Sequence, residues 1–210
     1  MSRVLVVDHG SGNLRSVCRA LEAAGAEVTL GSSSVDAARA DALVLPGVGA
    51  FAACMDRLRA LGGDDLVREH LQRERPVLGI CVGHQMLFEG SLEHGVPTAG
   101  LGIWPGQVVE LPVKRLPHMG WNVVEAPEDS PLFAGIEREH FYFVHGYGVL
   151  EPESLPGDVA VTRHEDVPIV AAVSEGLVCG AQFHPEKSGA AGREFLVNWL
   201  SQSRSGMTAA

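Results

Sequence analysis

Pro76-Val77-Leu78-Gly79-Ile80-Cys81-Val82-Gly83-His84-Gln85 is the stretch whose reading decides the fold. Pro76 to Ile80 is a short apolar run of the kind that forms a buried strand, and Val82 to Glu89 reads as a helix. A cysteine flanked by glycines between a strand and a helix has the layout of a nucleophile elbow. The glycines are needed because the turn is sharp and side chains there would meet the neighbouring backbone. A thiol at the start of a helix is favoured as thiolate, the reactive form. The matching half lies about a hundred residues on, at His184-Pro185-Glu186. Leu177 to Phe183 reads as a strand, which puts His184 at its end. Pro185 biases His184 to extended backbone. Residues two apart on extended chain share a face, so Glu186 can sit behind the imidazole. A nucleophile, a base and a group that orients the base form a catalytic set. Cys18, Cys54 and Cys179 have no such setting and read as small buried hydrophobes.

The surrounding sequence supports one α/β domain. Arg3 to Val7, Ala26 to Leu30 and Ala42 to Leu45 read as strands. Leu14, Val17, Cys18 and Leu21 recur at helical spacing after Asn13, a good N-cap. Helical stretches follow Pro46-Gly47-Val48-Gly49 as far as Glu74, broken at Gly62-Gly63. Alternating strands and helices with near-continuous apolar strands mean a mostly parallel central sheet covered by helices on both faces. Beyond Gly106 short strand candidates dominate: Gln107 to Leu111, Trp121 to Glu125, His140 to Val144, Val159 to Arg163 and Ile169 to Val173. Antiparallel pairs are expected in this half. A last helix from Ser188 to Gln202 buries Phe195, Leu196, Trp199 and Leu200. The expected organisation is a single domain over 1–203, with 204–210 as a flexible tail.

Composition narrows the function. The chain has 210 residues and a formal charge of −10, which argues against nucleic acid or an anionic membrane as the main partner. No apolar stretch is long enough to span a bilayer, and Met1-Ser2-Arg3 leads straight into a strand with no signal peptide. The four cysteines lack zinc-ligand spacing, so no metal or other cofactor is expected. A reactive thiol fits a reducing, cytoplasmic setting.

Three strand-end loops bear on chemistry: Pro46 to Gly49, Cys81 and His184. In open α/β sheets ligands bind at the carboxyl ends of the strands. A cysteine attacking an acyl carbon needs donors for the developing oxyanion. The Val82 amide is one candidate, and the backbone of Gly47, Val48 and Gly49 is the other. His84, within the helix reading, is better placed for packing than for orienting the thiol. His145 reads as structural or substrate-shaping.

Gly79-Ile80-Cys81-Val82-Gly83-His84-Gln85 and Gln182-Phe183-His184-Pro185-Glu186 resemble the class I, triad-type glutamine amidotransferases. Within that family, the strings Gly12 to Ser16, Pro46 to Gly49, Pro117 to Asn122, Tyr142 to His145 and Lys187-Ser188 are similar to the glutaminase subunits of imidazole glycerol phosphate synthases. The matching strings run from Asp8 to Ser188, nearly the whole chain. The resemblance implies hydrolysis of L-glutamine to glutamate and ammonia through a thioester on Cys81, with His184 as acid and base and Glu186 as its orienter. It implies that Gln85 and Glu93 hold the glutamine, and that the Val48–Gly49 peptide is a mobile oxyanion strand. It implies a heterodimer with a cyclase subunit, a (β/α)8 barrel facing Asn13, Trp121, Tyr142 and Lys187. The barrel would use the ammonia to make imidazole glycerol phosphate and AICAR in histidine biosynthesis. Three positions depart from the subfamily pattern: His84 for Met, His9 for Tyr and Gly146 for Ser. Two other readings stand beside this one. Gly-His-Gln at 83–85 is commoner in other class I members and favours the glutaminase partner of a chorismate-using synthase, against which Pro46 to Gly49 and Pro117 to Asn122 speak. A free-standing γ-glutamyl hydrolase would need no partner.

Overall fold

The computed structural model describes residues 1–10 and 12–206. Strand β1 (Arg3–Val7), helix α1 (Leu14–Ala23), β2 (Glu27–Gly31), α2 (Ser34–Arg39) and β3 (Ala42–Gly47) open the chain. Helices α3 (Phe51–Ala60) and α4 (Gly63–Gln72) lead to β4 (Val77–Cys81) and the short α5 (Val82–Gln85). Then come β5 (Phe88–Ser91), β6 (Thr98–Ala99), β7 (Trp104–Glu110), β8 (His118–Val123), β9 (His140–His145) and β10 (Tyr147–Gly148). Strands β11 (Asp158–His164), β12 (Val167–Glu175), β13 (Val178–Ala181) and helix α6 (Gly189–Gly206) finish it.

Seven strands form the central sheet in the order β11-β12-β13-β4-β3-β1-β2. The β2, β1, β3, β4 and β13 neighbours run parallel, while β12 and β11 are antiparallel additions at one edge. β3 and β4 are buried along their whole length, as their unbroken apolar runs require. One group of helices pairs α1 with α6; a second joins α2, α3 and α4. Phe195, Leu196, Trp199 and Leu200 are buried on α6, as their spacing predicts. β13 lies directly beside β4, and β4 beside β3. This neighbour relation brings three strand ends distant in sequence onto one rim: Gly47, Cys81 and the residues after Ala181.

Several expectations need correction. The helix read over Val82 to Glu89 is a single turn, α5, and the chain returns to extended form at Phe88. There β5 pairs with β6 and β7 in a separate four-stranded sheet, so tertiary pairing overrides the local pattern. Helix α2, capped by Ser33 accepting from the Asp36 N–H, occupies a segment with no helical reading. Asn13 stands at the N-cap of α1, but its side chain makes no capping hydrogen bond. The last helix runs through Gly206, past the expected end at Gln202. The remainder of the expected tail, 207–210, lies outside the described residues.

The elbow is built on close backbone approach. A Cβ on Gly83 would overlap the Leu45 carbonyl, and one on Gly47 would come 2.7 Å from the Gly83 nitrogen. Gly83→Ala is therefore expected to lose about 3 kcal/mol or more, the upper range for overpacking against groups that cannot move. Gly146→Ala, with open space around it and ordinary backbone angles, should stay within about 0.5 kcal/mol of the parent. Urea unfolding midpoints of the two variants check the contrast.

Candidate active site

Cys81 is the hinge between β4 and α5, with φ 56° and ψ −113°. A non-glycine residue at positive φ is held there only by its surroundings. Parallel pairing of Gly47 with Cys81 on one side and of Ala181 with Ile80 on the other supplies them. α5 is only one turn long, so its dipole is a small part of what the sulfur feels. The charged neighbour is the larger part.

That neighbour is His184. Its Nδ1–H donates to Glu186 Oε1 at 2.8 Å, and both side chains are buried. The contact was expected from extended backbone carrying both residues on one face. Instead, His184 is extended and Pro185–Lys187 curls into a 3₁₀ turn, which swings Glu186 back onto the ring. The turn is held at several points. The Ser188 hydroxyl donates to the His184 carbonyl at 2.6 Å and accepts from the Tyr142 N–H at 2.9 Å. The His184 N–H donates to the Tyr142 carbonyl at 2.9 Å. With Nδ1 committed to Glu186, Nε2 is the nitrogen left for Cys81; it has no well-aligned hydrogen bond of its own. Burial works against a charged imidazole, but the Cys81 sulfur and the Glu186 carboxylate outweigh it, and the His184 pKa is raised to about 9.

A cavity of about 390 Å³ opens over these groups. Val48, Gly49, Val82, Gln85, Glu93 and Lys187 line it together with Cys81 and His184. The N–H groups of Gly49 and Val82 have no acceptor among the described residues. Gly49 has φ 88°, a conformation that glycine adopts at no steric cost. Glu93 Oε2 accepts the Phe51 N–H at 2.6 Å, so the carboxylate both borders the cavity and closes the start of α3. Trp121 and Tyr142 meet edge to face at 6.1 Å, with Lys187 Nζ 5.7 Å from the Tyr142 ring centre. These three form a surface cluster beside the cavity, and Trp121 and Met119 are 57% and 61% exposed. Asn13 is exposed at the start of α1, a helix that packs on the 185–187 turn.

The site contains polar groups that the sequence reading missed. Gln182, fully buried, accepts from Gln85 Nε2 at 2.9 Å. Its only signal was an amide inside an otherwise apolar strand run. Gln85 Nε2 also donates to the Tyr147 carbonyl at 2.9 Å, and His145 Nδ1 meets the same carbonyl at 2.8 Å. A carbonyl only accepts, so Nδ1 of His145 carries the proton. Burial holds His145 neutral, with its pKa lowered to about 3. Its Nε2 therefore accepts from His118 Nδ1–H at 2.9 Å, and His118 Nε2 accepts from Asn122 Nδ2 at 3.1 Å. A chain of assigned direction thus runs from the β8 strand to the cavity wall.

His84 is not part of this chain. It is buried beside Phe88 and Trp104, and neither ring nitrogen has a hydrogen-bond partner. Burial lowers its pKa to about 3. Cys54 and Cys179 are buried, as expected, while Cys18 is only partly covered. Among the described residues there is no cluster able to hold a metal, and no helix is long and apolar enough to cross a membrane.

Against known proteins, residues 5–202 match the family model described as glutamine amidotransferase class-I. The chain belongs to the class I glutamine amidotransferases. It is 50% identical over 207 residues to imidazole glycerol phosphate synthase subunit HisH of Corynebacterium diphtheriae, covering 95% of this chain and 99% of that one. It is 54% identical over 201 residues to the subunit of the same name from Cutibacterium acnes, covering 95% and 97%. A crystal structure of a glutamine amidotransferase superposes with a TM-score of 0.74 at 22% identity, covering 96% of this chain and 98% of that one. At that identity the superposition establishes the fold.

The buried histidines give the acid limb of stability a definite sign. His84 and His145 have pKa values of about 3 in the fold and about 6.5 unfolded. Unfolding below pH 6.5 takes up protons at both, so their contribution is intact above 6.5 and shrinks as pH falls toward 3. Each accounts for up to about 1.4 kcal/mol per pH unit. His184 works in the other sense: its contribution is present below pH 6.5 and is lost as pH rises through about 9. His84→Met removes two unpaired buried nitrogens and one titrating group. Urea titrations from pH 7 to 4 should show its acid limb flatter by one proton, a gain of about 2 kcal/mol at pH 5 over the gain at pH 7. An unchanged limb would contradict a neutral buried His84.

Proposed function

We propose that this chain is the glutaminase subunit of an imidazole glycerol phosphate synthase, feeding ammonia to a cyclase subunit in histidine biosynthesis. The observation that carries the chemistry is the elbow cysteine sharing a cavity with a histidine already committed through Nδ1 to a buried carboxylate. In this reading the Cys81 proton already rests on His184 Nε2, and the sulfur attacks the side-chain carbonyl carbon of glutamine. Glu186 keeps Nε2 facing the thiol and stabilises the imidazolium. The Val82 amide and the Val48–Gly49 backbone receive the developing oxyanion. His184 then returns the proton to the amide nitrogen, which leaves as ammonia, and a thioester remains on Cys81. Water, deprotonated by His184, attacks the thioester and releases glutamate.

The rest of the cavity serves binding. Gln85, locked by Tyr147 and Gln182, presents a fixed amide to the substrate. Glu93 spends one oxygen on the Phe51 N–H and keeps the other for the substrate's α-ammonium. The partner is a (β/α)8 barrel that covers the cavity rim. Exposed Trp121 and Met119, the Tyr142–Lys187 pair and Asn13 suit a protein interface, because large apolar side chains beside a polar rim mark binding surfaces. The setting is the cytoplasm, where free thiols persist. His84, where Gly-His-Gln departs from the subfamily pattern, is buried against Phe88 and Trp104 and does not line the cavity.

Glutamate release measured for the chain alone, with the cyclase, and with cyclase plus its nucleotide substrate tests this reading. Turnover should rise by orders of magnitude across the series; equal turnover in all three would point to a free-standing hydrolase. Cys81→Ala should abolish glutamine-dependent synthesis by the complex and spare synthesis from added ammonium salts. Glu186→Gln should lower turnover by on the order of 10²–10⁴ with a smaller change in KM, as for loss of the group that fixes a catalytic histidine. Wild-type turnover in Glu186→Gln would remove that carboxylate from the mechanism.

A further inference from the structure

Tyr142 and His184 are joined backbone to backbone, but irregularly. Two residues that exchange both backbone hydrogen bonds form the hydrogen-bonded pair of an antiparallel ladder. The His184 N–H reaches the Tyr142 carbonyl directly, at 2.9 Å. The return bond is not direct. The Tyr142 N–H donates to the Ser188 hydroxyl at 2.9 Å, and that hydroxyl donates to the His184 carbonyl at 2.6 Å. The polarity is fixed, because a backbone N–H only donates and a carbonyl only accepts. Ser188 is thus a spacer between β9 and the residue that carries the imidazole.

The spacer is itself held in place. Ser188 is 2% exposed. Its N–H donates to the Pro185 carbonyl at 3.0 Å, and its carbonyl accepts the Gly192 N–H at 3.1 Å. A Cβ on Gly192 would come 2.8 Å from the Ser188 Cβ, so α6 backs the residue closely. The His184 carbonyl also accepts the Lys187 N–H at 3.0 Å, which closes the 3₁₀ turn. That turn brings Glu186 Oε1 to 2.8 Å from His184 Nδ1. Both polar groups of the His184 backbone are therefore committed, the N–H to Tyr142 and the C=O to Lys187 and Ser188.

We propose that Ser188 is a positioning residue: its hydroxyl spaces His184 from β9 and fixes the backbone from which the imidazole meets Cys81 and Glu186. Removing it leaves the Tyr142 N–H unpaired or lets the pair close directly, and either outcome shifts the His184 carbonyl. A displacement of about 1 Å at a catalytic group can cost on the order of 10²-fold in rate. The inference rests on the glutaminase reading above, in which His184 is the acid and base.

The test compares Ser188→Ala with Thr162→Val. Thr162 also has a buried hydroxyl, donating to the Val123 carbonyl at 2.8 Å, and it does not line the cavity. Losing a buried hydrogen bond costs stability in both variants, so Thr162→Val separates that general cost from positioning. Glutamate release is measured in the complex with the cyclase and its nucleotide substrate, per assembled complex as counted by synthesis from ammonium salts. Ser188→Ala should lower kcat about tenfold to hundredfold, with KM for glutamine within about twofold. Thr162→Val should keep kcat within about twofold of the parent. ¹⁵N NMR of the full chain gives a second readout. The His184 midpoint, about 9 in the parent, should fall toward about 6.5 in Ser188→Ala and stay in place in Thr162→Val. Wild-type kcat in Ser188→Ala, an unmoved His184 midpoint there, or an equal loss of kcat in Thr162→Val would overturn the proposal and leave Ser188 a structural residue. A parent complex that releases no glutamate would instead overturn the glutaminase reading, while the midpoints still decide the positioning role.

Discussion

Everything at this site depends on one backbone constraint: Cys81 must hold φ 56° and ψ −113° between a buried strand and a one-turn helix. The residue cannot relax because β3 and β13 hold β4 from both sides. Gly47 and Gly83 let the two strand ends come into backbone contact. Strain of about 1–3 kcal/mol at such a residue is tolerable only where the surrounding sheet over-determines it. The geometry lifts the sulfur out of the β4 line and sets it over the rim where the neighbouring strands end. The same sheet order that enforces the strain therefore also delivers the base and the oxyanion loop.

The second layer is electrostatic. One histidine of the site is kept charged and its neighbours are kept neutral, by contrasting surroundings. His184 has a sulfur on one side and a carboxylate on the other, and its pKa rises to about 9 despite burial. His145, deeper and bonded to a carbonyl and to His118, falls to about 3. A neutral His145 adds no positive charge that would oppose the imidazolium of His184. Its fixed tautomer also holds the Tyr147 carbonyl against Gln85, so the substrate-side amide and the catalytic base are supported by networks that do not compete for protons.

Much of this was legible in the sequence, because the decisive residues obey local rules. The β4 strand, the glycines around Cys81 and the strand-end position of His184 follow from apolar runs and turn chemistry alone. The contact of His184 with Glu186 was foreseen for the wrong reason: Pro185 starts a 3₁₀ turn where extended chain was expected. What could not be read depends on contacts distant in sequence. Phe88 to Ser91 leaves the helical pattern because β7 pairs with it. Gln182 acquires meaning only from Gln85, ninety-seven positions away. His145 read as structural or substrate-shaping, and nothing local tied it to His118. The β8–β9 pairing makes them one directed chain.

Glu186 and Cys81 together hold His184 as an imidazolium before any substrate arrives. ¹⁵N NMR of the histidine rings across pH 5 to 10 tests it most directly, with His184→Gln identifying the resonance. The expected result is a charged His184 ring at pH 7.5 that titrates near 9, and a lower midpoint in Cys81→Ser, where the sulfur's contribution is gone. A wild-type His184 that titrates at or below about 6.5, the value of an unperturbed histidine, would contradict it.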